Sequence, residues 1–394
     1  MSNFWKDSAP TDTEHVISEE GTEILFEAIS WGSEEAVDTI LHTLHISPNH
    51  KGTKMLKFPI HAAIESGNLN IIEALLQSRA DPNVRDQYGH TPLHMAARRN
   101  MADVIRLLLD KGANPDIENN SGYMPLWIVP WHADKPDAFD LLIQAATDAP
   151  NRRCPNPDCD CPTALWVAAA HNSFSGVRKL LNAGADPNIQ DKQGSTLLHK
   201  ANWEIAPSLT PLLINNNADP NIRDRDGKLP LHHAAAAGKF SITNHLLSHM
   251  REGAVEERDN EEATALIRAS QNGSLALVNR LVTIWNAKVS VTDIRGNSPF
   301  YCACANGRLD VAIYLANRHR VNVNAPNKIG YTPLHAAARY GFADVVGRLL
   351  DLGADREARS GMAGWKEEQV TPAEVARKAG NEEITRIIER FELL

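Results

Sequence analysis

The chain has 394 residues, 43% of them hydrophobic and 23% charged, a balance that excludes wholesale disorder. Its net charge of −9 argues against non-specific nucleic-acid binding and against adhesion to anionic membranes, both of which need a basic surplus. No apolar run reaches the ~18 residues needed to span a bilayer. Five cysteines, an odd number in so long a chain, do not make a disulfide framework and fit a reducing compartment, cytoplasmic or nuclear.

In chain order, residues 1–20 are polar and acidic and read as a disordered tail, with no apolar signal core. A weak repeat unit, EILFEAISWGS, starts at Glu23. A stronger phrase follows as FPIHAAIESGN from Phe58, TPLHMAARRNM from Thr91, MPLWIVPWHAD from Met124, TALWVAAAHNS from Thr163 and TLLHKANWEIA from Thr196. It returns as LPLHHAAAAGK from Leu229, TALIRASQNGS from Thr264, SPFYCACANGR from Ser298, TPLHAAARYGF from Thr332 and TPAEVARKAGN from Thr371. Successive copies are 33, 33, 39, 33, 33, 35, 34, 34 and 39 residues apart.

Each unit predicts a helix, a turn, a second helix and an extended return. Thr or Ser before Pro supplies an N-cap with Pro at the first helical position, and Gly or Asn ends the helix. The second helix carries apolar residues one turn apart, such as Ile71, Ile72, Leu75 and Leu76, or Val104, Leu107 and Leu108. Tails such as ADPNVRDQYG and ADPNIQDKQG hold the Asp, Asn and Gly chemistry of a tight loop.

Over residues 22–394 the period and the phrase G-x-T-P-L-H-x-A-A resemble the ankyrin repeat family. The resemblance implies an all-α solenoid of about eleven helix-turn-helix units with projecting hairpin-like loops, the first helices and loop tips lining a concave groove. Residues 21–52 then form an N-terminal cap, 53–362 the repeats, with a Cys/Pro-rich insertion at 148–162, and 363–394 a C-terminal cap. It also makes His61, His94, His199, His232 and His335 scaffold residues that bond the preceding Thr and the next repeat's backbone, rather than a metal array. Trp127, Trp166 and Tyr301 take the same position in three units, where they remove the usual imidazole bond and demand a larger site.

The candidate site lies where the pattern breaks. The two residues before each helix-ending Gly face the groove in the family's geometry. In the second to fifth units they place Arg98, Arg99, Trp131, His132, His171, Trp203 and Glu204 in one stripe, flanked by Lys200 and His233. Trp, Tyr and Arg dominate binding hot spots, so a protein partner is the first reading. The alternative is a small-molecule pocket, or an unusual isomerase- or cyclase-like enzyme using His132, His171 and Glu204 for acid–base work between indole walls. Irregular packing without function is a third. Pro130 removes a backbone donor from the third unit's first helix, and Asn202, Ile205 and Pro207 disturb the fifth.

Cys154, Cys159 and Cys161 cluster in the insertion DAPNRRCPNPDCDCP. Zinc, with His132, His171 or Asp158 as a fourth ligand, and a redox-sensitive disulfide stand beside a plain ordered loop; the spacing is not that of a structural zinc site, and none is assigned. Cys302 and Cys304 read as buried stand-ins for alanine. The insert GMAGWKEE exposes Trp365 as a second contact or a cap adornment. Local arginine pairs fall short of a nucleic-acid stripe. No phosphate-loop or hydrolase motif occurs and no cofactor is implied.

Overall fold

A computed structural model describes residues 12–52, 56–129, 137–146, 150–154, 163–200, 206–361 and 369–390. Among these the chain is helical throughout, in two compact units, residues 1–189 and 190–394. The first unit holds α1 (Asp12–Trp31), α2 (Glu34–His42), α3 (Pro59–Ser66), α4 (Leu69–Gln77), α5 (Pro92–Arg98), α6 (Ala102–Asp110), α7 (Asp137–Ala145), α8 (Ala164–Ala170) and α9 (Phe174–Asn182). The second holds α10 (Ala206–Asn215), α11 (Pro230–Ala236), α12 (Phe240–His249), α13 (Ala265–Asn272), α14 (Leu275–Thr283), α15 (Pro299–Ala305), α16 (Leu309–His319), α17 (Pro333–Tyr340), α18 (Ala343–Asp351), α19 (Pro372–Lys378) and α20 (Glu382–Arg390). A helix therefore starts at Asp12, inside the stretch read from sequence as a tail.

Within each unit, first helices pack on first helices and second on second. α1, α3 and α5 adjoin in succession, as do α2, α4 and α6; α11, α13, α15, α17 and α19 do the same in the second unit. The small alanines make this possible: Ala96, Ala97, Ala234, Ala235, Ala336 and Ala337 are all at most 1% exposed.

The histidines act as the resemblance implies. Thr91 caps α5, accepting from the His94 backbone, while His94 Nδ1 accepts from the Thr91 amide at 3.1 Å. Its Nε2 donates to the Tyr123 carbonyl of the following repeat at 2.8 Å. His61, His199, His232 and His335 repeat this bond to the carbonyls of His90, Lys228, Glu257 and Val370 at 2.9–3.2 Å. Both ring nitrogens are thus engaged with backbone in every case, which fixes the neutral tautomer.

Where an apolar side chain replaces histidine, the cap loses its partner. Ile267 stands at that position in α13, and the Thr264 hydroxyl is buried without a hydrogen bond. Thr264→Val is therefore expected to be neutral or to stabilise by about 1 kcal/mol, whereas Thr91→Val should cost about 2 kcal/mol. Urea midpoints measure both; a clear loss for Thr264→Val would show that its hydroxyl is engaged. Trp166 finds a different carbonyl, its indole N–H donating to Ile189 at 3.2 Å, while the buried Trp127 N–H has no partner among the described residues.

The expected irregularity is real and has a cause. The third unit's first helix is reduced to one 3-10 turn, Pro125–Ile128, and Val129 leaves it at ψ 139°. A residue before proline is pushed out of the α region, so Pro130 dictates this exit. The fifth unit's first helix is likewise a 3-10 turn, Leu197–His199, among the described residues. The loops are closed by an Asp or Asn at their first position: Asp86 Oδ1 accepts from the Tyr88 and His90 amides, both at 2.8 Å. Single backbone bonds chain one loop tip to the next, as from Lys328 N to Arg295 O at 2.9 Å.

Candidate partner-binding groove

Of the seven stripe residues, Arg98, Arg99 and His171 are described, all in the first unit. Trp131, His132, Trp203 and Glu204 lie outside the described residues, as do Cys159, Cys161 and Trp365. Arg98 ends α5 and Arg99 caps it, its amide bonding Met95 O at 3.2 Å. Both side chains are exposed and make no ion pair among the described residues, while the six residues before them on α5 are buried. The helix thus presents two unneutralised guanidinium groups at its open end. His171 caps α8 and is exposed, its Nδ1 donating to Val167 O at 2.9 Å. Cys154 is half-buried.

The two flanking residues have other work. Lys200 pairs with Asp191 at 3.0 Å, and His233 with Asp224 at 2.8 Å. The aspartates are the loop-closing residues nine positions earlier, only 3% and 6% exposed. Arg268 does the same to Asp259, its Nε donating at 3.0 Å, and reaches Glu261 as well. Burial opposes the charge on Arg268, but these hydrogen bonds raise its pKa above the usual arginine value. An Asp followed nine residues later by a base is the sequence signal that separates these anchors from free cations.

The second unit carries a groove that the stripe did not include. Two hollows of about 560 and 570 Å³ adjoin along α13, α15, α17 and α19. Tyr331, Arg339 and Tyr340 line both. Tyr340, the last residue of α17, is 60% exposed, with the Arg339 guanidinium 6.0 Å from its ring centre. Val370, Val375, Lys378 and Ala379 complete the first hollow; Arg295, Tyr301, Asn327 and Phe342 are among those completing the second. Tyr340 occupies the same helix-end position as the stripe residues, and so does Trp31 on α1, which is 75% exposed. Equal attention to every helix-end pair would have found them.

Among the described residues no helix is long and apolar enough to cross a membrane, and no group of three or more His, Cys, Asp and Glu is placed to hold a metal.

Comparison with known proteins agrees with this architecture. Models of ankyrin repeats match residues 25–119, 60–153, 198–293 and 271–360, and a second ankyrin model matches 151–201. Alpha-latrocrustotoxin-Lt1a of Latrodectus tredecimguttatus is 29% identical over 135 residues, 34% of this chain and 9% of the toxin. Alpha-latroinsectotoxin-Lt1a of the same spider is 36% identical over 107 residues, 27% of this chain and 7% of that toxin. The 26S proteasome non-ATPase regulatory subunit 10 of Dictyostelium discoideum is 32% identical over 105 residues, 27% of this chain and 43% of the subunit. The chain thus spans less than half the length of each of these relatives. Among solved structures, the ankyrin repeat domain of Bcl-3 superposes with a TM-score of 0.51 at 22% identity, covering 57% of this chain and 97% of that domain. Repeat period, cap chemistry, inter-repeat histidine bonds and matches from residue 25 to residue 360 converge: the chain belongs to the ankyrin repeat family, whose repeats serve generally as protein–protein interaction modules.

Proposed function

We propose that this chain is a protein-binding scaffold that holds a partner along the open ends of its first helices. In the first unit the contact centres on Arg98, Arg99 and His171, with Trp131 and His132 as further candidates; Trp203 and Glu204 are the candidates that the second unit contributes. The observation that carries the reading is the pair Arg98 and Arg99, exposed and without an ion pair among the described residues, on a helix otherwise buried. Arginine is favoured where bidentate recognition of a partner's carboxylates is needed, and such charges also speed encounter. Acid–base catalysis gains no support from His171, which is open to solvent and has one ring nitrogen engaged with its own helix.

The test is affinity capture with the full chain as bait, followed by titration of the captured protein. Arg98→Glu with Arg99→Glu is expected to weaken binding at least about 10-fold without lowering thermal stability, because both side chains are exposed. Trp131→Ala with Trp203→Ala should also weaken binding at nearly constant Tm. An unchanged partner affinity for the arginine pair would defeat the placement, and a large fall in Tm for the tryptophan pair would assign those rings to the scaffold.

A further inference from the structure

The two hollows of the second unit share one wall and one charge. Three tyrosines face them, with Tyr340 standing between. Arg295 and Arg339 are exposed and have no acidic partner among the described residues, in contrast to Arg268 at the upstream edge, which Asp259 and Glu261 neutralise. In a chain of net charge −9 this is a locally basic, aromatic surface.

Its floor is set to donate. Asp293 Oδ2 accepts from Asn297 Nδ2 at 3.0 Å, and Asn297 Oδ1 accepts from Asn327 Nδ2 at 3.0 Å. The same Asn327 amide donates to the Tyr301 hydroxyl oxygen at 3.3 Å. With its oxygen receiving that bond, the Tyr301 O–H is left to point its proton at an acceptor in the hollow. Burial pushes the phenol's ionisation well above the usual tyrosine range, so the proton is retained at physiological pH.

From this juxtaposition we propose that the paired hollows are one binding groove for an acidic, extended segment of a partner protein, its carboxylates held by Arg295, Arg339 and Tyr301 and its apolar residue seated against Tyr340. The inference rests on the scaffold reading above and names the partner chemistry for a second surface. Adjacent helices lie about 10 Å apart and an extended chain advances about 3.3 Å per residue, so the two hollows match side chains three positions apart. Arginine forks and a neutral phenol suit carboxylates, and a cation over an aromatic ring adds a wall for an apolar or aromatic anchor.

The test is selection of displayed random 12-residue peptides on the full chain, then titration of a fluorescein-labelled winner. The expected winners carry Asp or Glu and an aromatic or aliphatic residue about three positions away. Arg295→Glu with Arg339→Glu should weaken the winner at least about 30-fold, Tyr301→Phe several-fold, and added salt should weaken it further. Circular dichroism verifies folding, and the milder Arg295→Ala with Arg339→Ala replaces the reversal if the latter unfolds. Neutral or basic winners, or winners that bind both arginine variants like wild type, would overturn the proposal. So would labelled single-stranded DNA or anionic vesicles binding through these arginines more tightly than any peptide. Peptides lost with Arg98→Glu and Arg99→Glu alone would sink this groove and leave the scaffold reading standing. A chain that enriches no peptide and captures no protein would sink both.

Discussion

Stability is expected to fall steeply as pH drops from about 6.5 towards 4. His61, His94 and His199 are at most 2% exposed, and burial lowers each from 6.5 to about 4, outweighing the carbonyl bonds that raise it. Burial also lowers His232 and His335. In this window the unfolded chain binds protons that the folded chain refuses, so stability rises with pH. The contribution is intact above about 6.5 and is lost progressively on the way down to the folded value. Each of the three most shifted histidines accounts for on the order of 3 kcal/mol across that window. Calorimetry from pH 7.5 to 4 measures it, and His94→Gln is the control: an amide can supply similar hydrogen bonds without titrating. A melting temperature flat between pH 6.5 and 4.5, or a His94→Gln profile as steep as wild type, would contradict the assignment.

Phe300→Ala is expected to cost about 3–5 kcal/mol, the range for deleting a ring from a packed core. Phe300 is 1% exposed and belongs to a cluster that runs from α11 to α20, with Leu266, Leu277, Leu334 and Val346 from the helices around it. In a repeat array each unit is held by its neighbours, so the damage should be local before it is global. Hydrogen exchange should lose protection first in α13, α15 and α17, with α3 to α6 unaffected. Tyr340→Ala, at the solvent end of α17, should cost less than about 1 kcal/mol because the ring is open to solvent. Equal losses for the two variants, or a protection loss spread evenly over the chain, would mean that Phe300 is not a local keystone and Tyr340 not a free surface.

The sites were less legible than the fold. The stripe consists of residues that depart from the consensus, and Arg98, Arg99 and His171 stand exposed at helix ends. Lys200 and His233 looked equally available, yet Asp191 and Asp224 hold them. Tyr331 lies before a cap and Asn327 in a loop; nothing in their spacing announces that one amide reaches Tyr301 and Asn297 together. Such pairings depend on how far one repeat is rotated against the next, a quantity no single repeat encodes.

The sequence alone determined the helix pairs, the histidine bonds and the buried alanines, because a period near 33 residues repeats the same local chemistry and each cap is made by residues three apart. It also located the third unit's broken helix, since Pro130 acts on its immediate neighbour Val129. Only the tertiary structure decided which charged side chains are neutralised and where open space remains. Pairings such as Arg223 with Glu257, and Asn327 with Asn297 and Tyr301, arise between residues 26–34 positions apart that stacking brings to 2.6–3.3 Å; the Asp nine residues before Lys200, His233 and Arg268 is the local exception that the sequence does show.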